Sequence, residues 1–120
     1  MTMNLAGVEV DAAATATYAH LFDALSDPTR LAILQHLATG EHRVRDLVEH
    51  LGLAQSTVSA HLACLKECGL VAARPEGRST VLSLAAPAPL AALLRATEDL
   101  LGATGARVSL CSHLVRPEEG

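Results

Sequence analysis

The stretch Leu53–Gly69, LAQSTVSAHLACLKECG, constrains this chain more than any other. Val58, Leu62 and Leu65 recur at helical spacing, while Gln55, Ser56, Thr57, Ser59 and His61 crowd short polar groups onto the other side of its first half. A helix of that kind suits contact with base edges in DNA. In its second half Cys64 and Cys68 stand four residues apart on one helix surface, where both sulfurs can reach a single ion. Ala54 occupies the place where a Ser or Thr cap is expected, at a cost of about 1 kcal/mol, and Ser56 offers a later start. Gly69 is a good C-terminal stop.

The segments around it complete a pattern. Arg45 to Leu51 reads as a brief helix with Leu47, Val48 and Leu51 on its buried side, closed by Gly52, so the region reads helix, tight turn, helix. Upstream, Asp11 caps a first helix with an apolar stripe through Ala14, Tyr18, Leu21, Phe22 and Leu25. Asp27 followed by Pro28 starts a second helix, 28–38, which Thr39 and Gly40 end. Glu41 to Val44 is a short extended bridge. Downstream, Leu70–Arg74 and Thr80–Leu84 are β-prone runs flanking a turn at 75–79, a hairpin with a basic tip. Pro87 and Pro89 introduce a last helix, Leu90 to Leu101, broken by Gly102 and Gly105. Its leucines exceed what a small monomer can cover, which points to a dimer. The expected fold is mainly α with a small β-hairpin, a winged helix-turn-helix domain over 11–102. A flexible arm at 1–10 precedes it, and a tail at 103–120 carries Cys111 and His113.

Composition narrows the function. At 120 residues there is room for one core, and Tyr18 and Phe22 are its only aromatic residues. That scarcity argues against a single-strand nucleic-acid binder, which stacks bases on aromatic platforms. A net charge of -4 counts against a phosphate partner until its distribution is considered. Arg43, Arg45, Lys66, Arg74 and Arg78 place five of the nine basic residues in the middle of the chain. No apolar run is long enough to span a bilayer, and MTMNLAGVEV lacks the features of a secretory signal, so the chain reads as cytoplasmic. Three cysteines form no disulfide framework and are better read as ligands, sensors or small core residues.

LFDALSDPTRLAILQHLATGE, VRDLVEHLGLAQSTVSAHLACLKECGLV and RPEGRSTVLSL together resemble the ArsR/SmtB family of metal-responsive bacterial repressors, over roughly residues 18 to 101. The resemblance implies a homodimer held by the first and last helices, which binds double-stranded operator DNA. It also implies that Gln55, Ser56, Thr57, Ser59 and His61 face a major groove, with Arg74 and Arg78 as phosphate contacts of the wing.

Inducer sites in that family lie at several positions. The matching segment for one thiol site is Glu41-His42-Arg43-Val44-Arg45-Asp46-Leu47, where arginines stand in both thiol places and cannot ligate a soft cation. A zinc-type site on the last helix needs histidines, and 87–102 holds none. HLACLKECGL resembles the CmtR-type cadmium and lead sensors, which implies Cys64, Cys68 and Cys111 as ligands for Cd(II) or Pb(II), the tail thiol coming from either protomer; in the resembling members it crosses the dimer. Trigonal sulfur suits As(III) equally well. His113 is a possible accessory ligand, set against an ordinary exposed histidine.

Other readings stay open. Cys64 and Cys68 also fit as small hydrophobes beside Val58, Leu62 and Leu65, and Cys111 as an incidental tail residue. With two thiols in place of three, the same repressor would be a redox or persulfide sensor. No motif places a catalytic pocket, so no enzyme activity and no organic cofactor are expected. His20, His36, His42 and His50 show no usable pattern in the sequence.

Overall fold

The computed structural model describes residues 4–5, 8–9 and 11–105. Two compact units divide the chain, Met1–Ala85 and Ala86–Gly120, with their boundary inside the 11–102 stretch expected as one domain. Within the segment expected as an arm, β1 (Asn4–Leu5) pairs antiparallel with β2 (Val8–Glu9).

Capping residues set the first two helices. Asp11 accepts the Ala13 N–H at 3.3 Å to start α1 (Ala12–Leu25). Asp27 accepts the Arg30 N–H at 3.0 Å to start α2 (Pro28–Ala38), with Pro28 in the first turn, where a missing N–H costs nothing. Arg30 then reaches back across the corner. Its guanidinium donates to the Ala24 carbonyl at 2.6 Å, an acceptor at the end of α1, and to the Asp23 carbonyl at 2.9 Å, which also accepts from the Ser26 N–H and hydroxyl.

β3 (His42–Arg43) leads into α3 (Val44–Leu51), and α4 (Gln55–Glu67) follows after a tight turn. Gly52 makes that turn at φ 65°, and its N–H bonds the Val48 carbonyl at 3.0 Å. A side chain there would meet nothing within 4 Å, so the need for glycine comes from the backbone, where other residues pay about 1–2 kcal/mol. α4 begins at Gln55 after Ala54, with no side-chain cap, so the later start at Ser56 is not used. Cys68 is its C-cap residue, and Gly69 follows at φ 77°.

β4 (Val71–Glu76) and β5 (Ser79–Leu84) form the wing, and β3 joins the other edge of β5 to give the antiparallel order β3-β5-β4. Register runs from Val71 opposite Leu84 to Glu76 opposite Ser79. The strands continue nearer the tip than the sequence suggests, leaving only Gly77 and Arg78 as the loop. Pro75 does not interrupt the ladder because β4 is an edge strand, where a missing donor can face solvent.

The core of this unit is aliphatic. Ile33, Leu34 and Leu37 of α2, Leu47 of α3, Val58, Leu62 and Leu65 of α4, and Val81 and Leu82 of β5 are buried, and no polar side chain among the described residues joins them. Tyr18 and Phe22, on the apolar stripe of α1, are instead about half exposed.

In the second unit, α5 (Pro87–Thr104) is longer than expected. It runs through Gly102 and stops at Gly105, φ 58°. A glycine inside a helix costs about 1 kcal/mol, too little to end one of this length, whereas a left-handed residue does end it. Leu100 and Leu101 near its end are exposed. No described helix is long and apolar enough to cross a membrane.

Candidate nucleic-acid interface and metal-binding helix

Burial of Val58, Leu62 and Leu65 fixes how α4 is rotated, and that decides which polar residues face outward. Gln55, Ser56, Thr57 and Ser59 are all exposed, and none of their side chains hydrogen-bonds within the described residues. Gln55 and Ser59 line one side of an open cleft. Arg43, Val44 and Arg45 at the start of α3 form another side, and Arg78, Ser79 and Thr80 of the wing close it. The cleft joins uncommitted hydrogen-bonding groups to three guanidinium groups, a combination suited to a polyanion with readable edges. In the sequence Arg43 and Arg45 stand as members of the basic cluster at 43–78 and as lost thiol positions, but not within the expected DNA-facing set.

Two expected DNA contacts sit differently. His61 is turned inward on α4, its ring mostly covered and Nε2 3.9 Å from Asp27 Oδ2 at the start of α2. The exposed reading set therefore ends at Ser59. Burial of Asp27 opposes ionisation, but the Arg30 N–H and the nearby His61 and Arg30 side chains outweigh it and hold the carboxyl below its usual range. Arg74 is engaged by Glu41 at 3.1 Å and Glu76 at 3.2 Å, while Glu76 also takes Arg43 at 2.6 Å. This exposed network braces the wing against β3 and offsets the Arg74 charge locally. Among the described residues no carboxylate pairs with Arg78, which leads the wing at its tip.

The other end of α4 holds Cys64 and Cys68, both partly buried and unbridged. Burial, the neighbouring Cys64 thiol and the Glu67 carboxylate push the Cys68 thiol above its ordinary range, with Arg30 pulling the other way. His20 of α1 adds a donor that sequence reasoning did not find, its Nε2 3.9 Å from Cys68 Sγ. No local signal could have paired them, since they are 48 residues apart. Thiols are soft donors, fit for a thiophilic cation and unfit for a hard one, although among the described residues Cys64, Cys68 and His20 do not converge as a set of three ligands. Cys111 and His113 lie outside the described residues.

Relatives of known sequence and structure share this fold. The family model described as "Bacterial regulatory protein, arsR family" matches residues 27–73. A Streptomyces lividans protein named "Probable mercury resistance operon repressor" is 38% identical over 117 residues, covering 98% of this chain and 91% of the relative. The Mycobacterium tuberculosis regulator CmtR is 51% identical over 67 residues, 56% of this chain and 57% of its own length. A solved homodimeric winged helix-turn-helix DNA-binding domain from Mycobacterium bovis, a possible ArsR-family regulator, superposes with a TM-score of 0.65 at 38% identity. It covers 73% of this chain and 83% of that one. With a helix-turn-helix, a two-stranded wing and near full-length similarity to such a regulator, this chain belongs to the ArsR family and is a transcriptional regulator rather than an enzyme.

Proposed function

We propose that the protein is a homodimeric repressor that binds operator DNA through Gln55, Ser56, Thr57 and Ser59 and is released by a soft cation held by Cys64, Cys68 and Cys111. The observation that carries the reading is the position of the thiol pair at the end of the helix whose other end is the exposed polar face. Arg45 and Arg78 supply phosphate contacts at the cleft. Tyr18 and Phe22, and separately Leu100 and Leu101, are exposed apolar groups of the kind a dimer covers. The homodimeric state of the Mycobacterium bovis relative supports the same assembly.

Cd(II) and Pb(II) fit three thiolates, as does As(III), and the name of the Streptomyces lividans relative adds Hg(II) to the thiophilic ions worth testing. Thiolate ligation releases protons, so affinity rises with pH, the more so because Cys68 holds its proton firmly. Binding must favour a conformation other than the DNA-bound one, and reciprocity then lowers operator affinity. A coupling of about 3 kcal/mol corresponds to more than a hundredfold.

A DNA-release titration with Cd(II), Pb(II), Hg(II), As(III) and Zn(II), on the unmodified chain and on Cys64→Ser, Cys68→Ser and Cys111→Ser, tests the reading. Each substitution should abolish release by the effective soft ion while leaving metal-free operator affinity within about threefold. Undiminished release from Cys64→Ser, or Zn(II) acting as strongly as Cd(II), would overturn it.

A further inference from the structure

Away from the cysteines, three histidines with no pattern in the sequence come together. His36 lies in the last turn of α2, His42 in β3, and His50 in the last turn of α3. One ring nitrogen from each lies within 4.8 Å of the other two. The ring centroids are 5.2 Å apart for His36 and His50, 5.5 Å for His42 and His50, and 6.1 Å for His36 and His42.

We propose that His36, His42 and His50 form a second metal site, made of nitrogen alone, for a borderline divalent transition ion of the zinc class. Zn–N bonds of about 2.0–2.1 Å place tetrahedral ligand atoms roughly 3.4 Å apart, so the rings need to converge by about an ångström, within the range of side-chain rotation. His42 is already oriented for it. Its Nδ1 lies 2.8 Å from the Gly40 carbonyl, which can only accept, so Nδ1 carries the proton and Nε2 keeps its lone pair. A ring nitrogen bonded to a backbone carbonyl is the usual outer support of a metal-bound histidine. His36 and His50 also sit at helix C-termini, whose carbonyl ends favour a cation.

Imidazole selects differently from thiolate. Zn(II), Co(II), Ni(II) and Cu(II) suit this set, whereas the Cys64 and Cys68 end of α4 suits softer ions. Three ligands leave a fourth position for water. Such a site would tie α2, the edge strand β3 and the first helix of the helix-turn-helix to one another, bracing the frame from which α4 and the wing project.

Co(II) is the probe, added to full-length protein in which Cys64, Cys68 and Cys111 are all replaced by Ser, so that sulfur contributes nothing. One equivalent should produce the visible d–d bands of a low-coordinate Co(II) centre without a sulfur charge-transfer band. His42→Gln or His50→Gln in that background should weaken binding at least tenfold. Circular dichroism establishes that each variant is folded. If the triple variant does not fold, Zn(II) added to the unmodified chain should shift the ring resonances of all three histidines together. Absence of Co(II) binding in a folded triple variant, binding unaltered by the histidine substitutions, or ring resonances unmoved by Zn(II) would each overturn the proposal. None of these results depends on whether the thiols sense metal.

Discussion

From Gln55 to Ser59, α4 presents side chains that bond to nothing among the described residues, whereas from His61 to Cys68 the same helix faces Asp27 of α2 and His20 of α1. The first half is left open for an outside partner, and the second is already wired into the protein. A reader must be uncommitted, because bonds made internally would have to be broken before a base could replace them. A sensor gains from the opposite arrangement. Cys68 lies 3.9 Å from His20 of α1, the helix whose exposed Tyr18 and Phe22 belong to the proposed dimer surface and whose end Arg30 fastens to α2.

The comparison can be broken most forcefully at the residue that keeps both halves in one rigid helix. Leu65 is fully buried, so Leu65→Ala should cost about 2–5 kcal/mol in chemical denaturation and damage reading and sensing together. Next in size is the open half. Gln55→Ala should weaken operator binding by about 1–3 kcal/mol, with global stability unchanged, as seen by fluorescence anisotropy beside a thermal melt. In the wing, Arg78→Ala should reduce the salt dependence of binding by about one phosphate contact, while Arg74→Ala, already committed to Glu41 and Glu76, should change it less. Equal effects from the two arginines would remove the distinction between committed and uncommitted groups.

The smallest expected effect probes the wired half through pH. Asp27 has its folded pKa held below the unfolded value near 3.9, so its contribution is complete above that value and is lost as pH falls through the folded one. Asp27→Asn keeps an N-cap acceptor and removes the titration. Stability near neutral pH should therefore change by less than about 1 kcal/mol, while the acid limb of the stability profile becomes shallower. An unchanged acid limb would show that His61 and the Arg30 N–H do not hold the carboxylate as described.

What could be read from the sequence was mostly local. Asp11, Asp27 with Pro28, Gly52 and Gly69 act on residues within a turn of themselves, so the four helices before the wing begin and end within about a residue of expectation. The buried face of α4 followed from Val58, Leu62 and Leu65 by periodicity alone. The misses at the site were tertiary. Arg74 meets Glu41 across 33 residues, Cys68 meets His20 across 48, and the three histidines meet only because α2, β3 and α3 fold onto one corner. Gly102 was misread for another reason: a weak local penalty was taken for a stop, whereas α5 ends at the left-handed backbone of Gly105.

The bare start of α4 has a consequence of its own. With Ala54 in the cap position, the first amide groups of α4 lack the side-chain acceptor that Ser or Asp would give. A phosphate oxygen can take that role. The free protein is thus slightly less stable than it need be, and under the proposed operator contact a phosphate oxygen at this end would offset the deficit. Ala54→Ser should raise the melting temperature of the free protein and loosen its hold on the operator, a trade of function for stability made at a single methyl group.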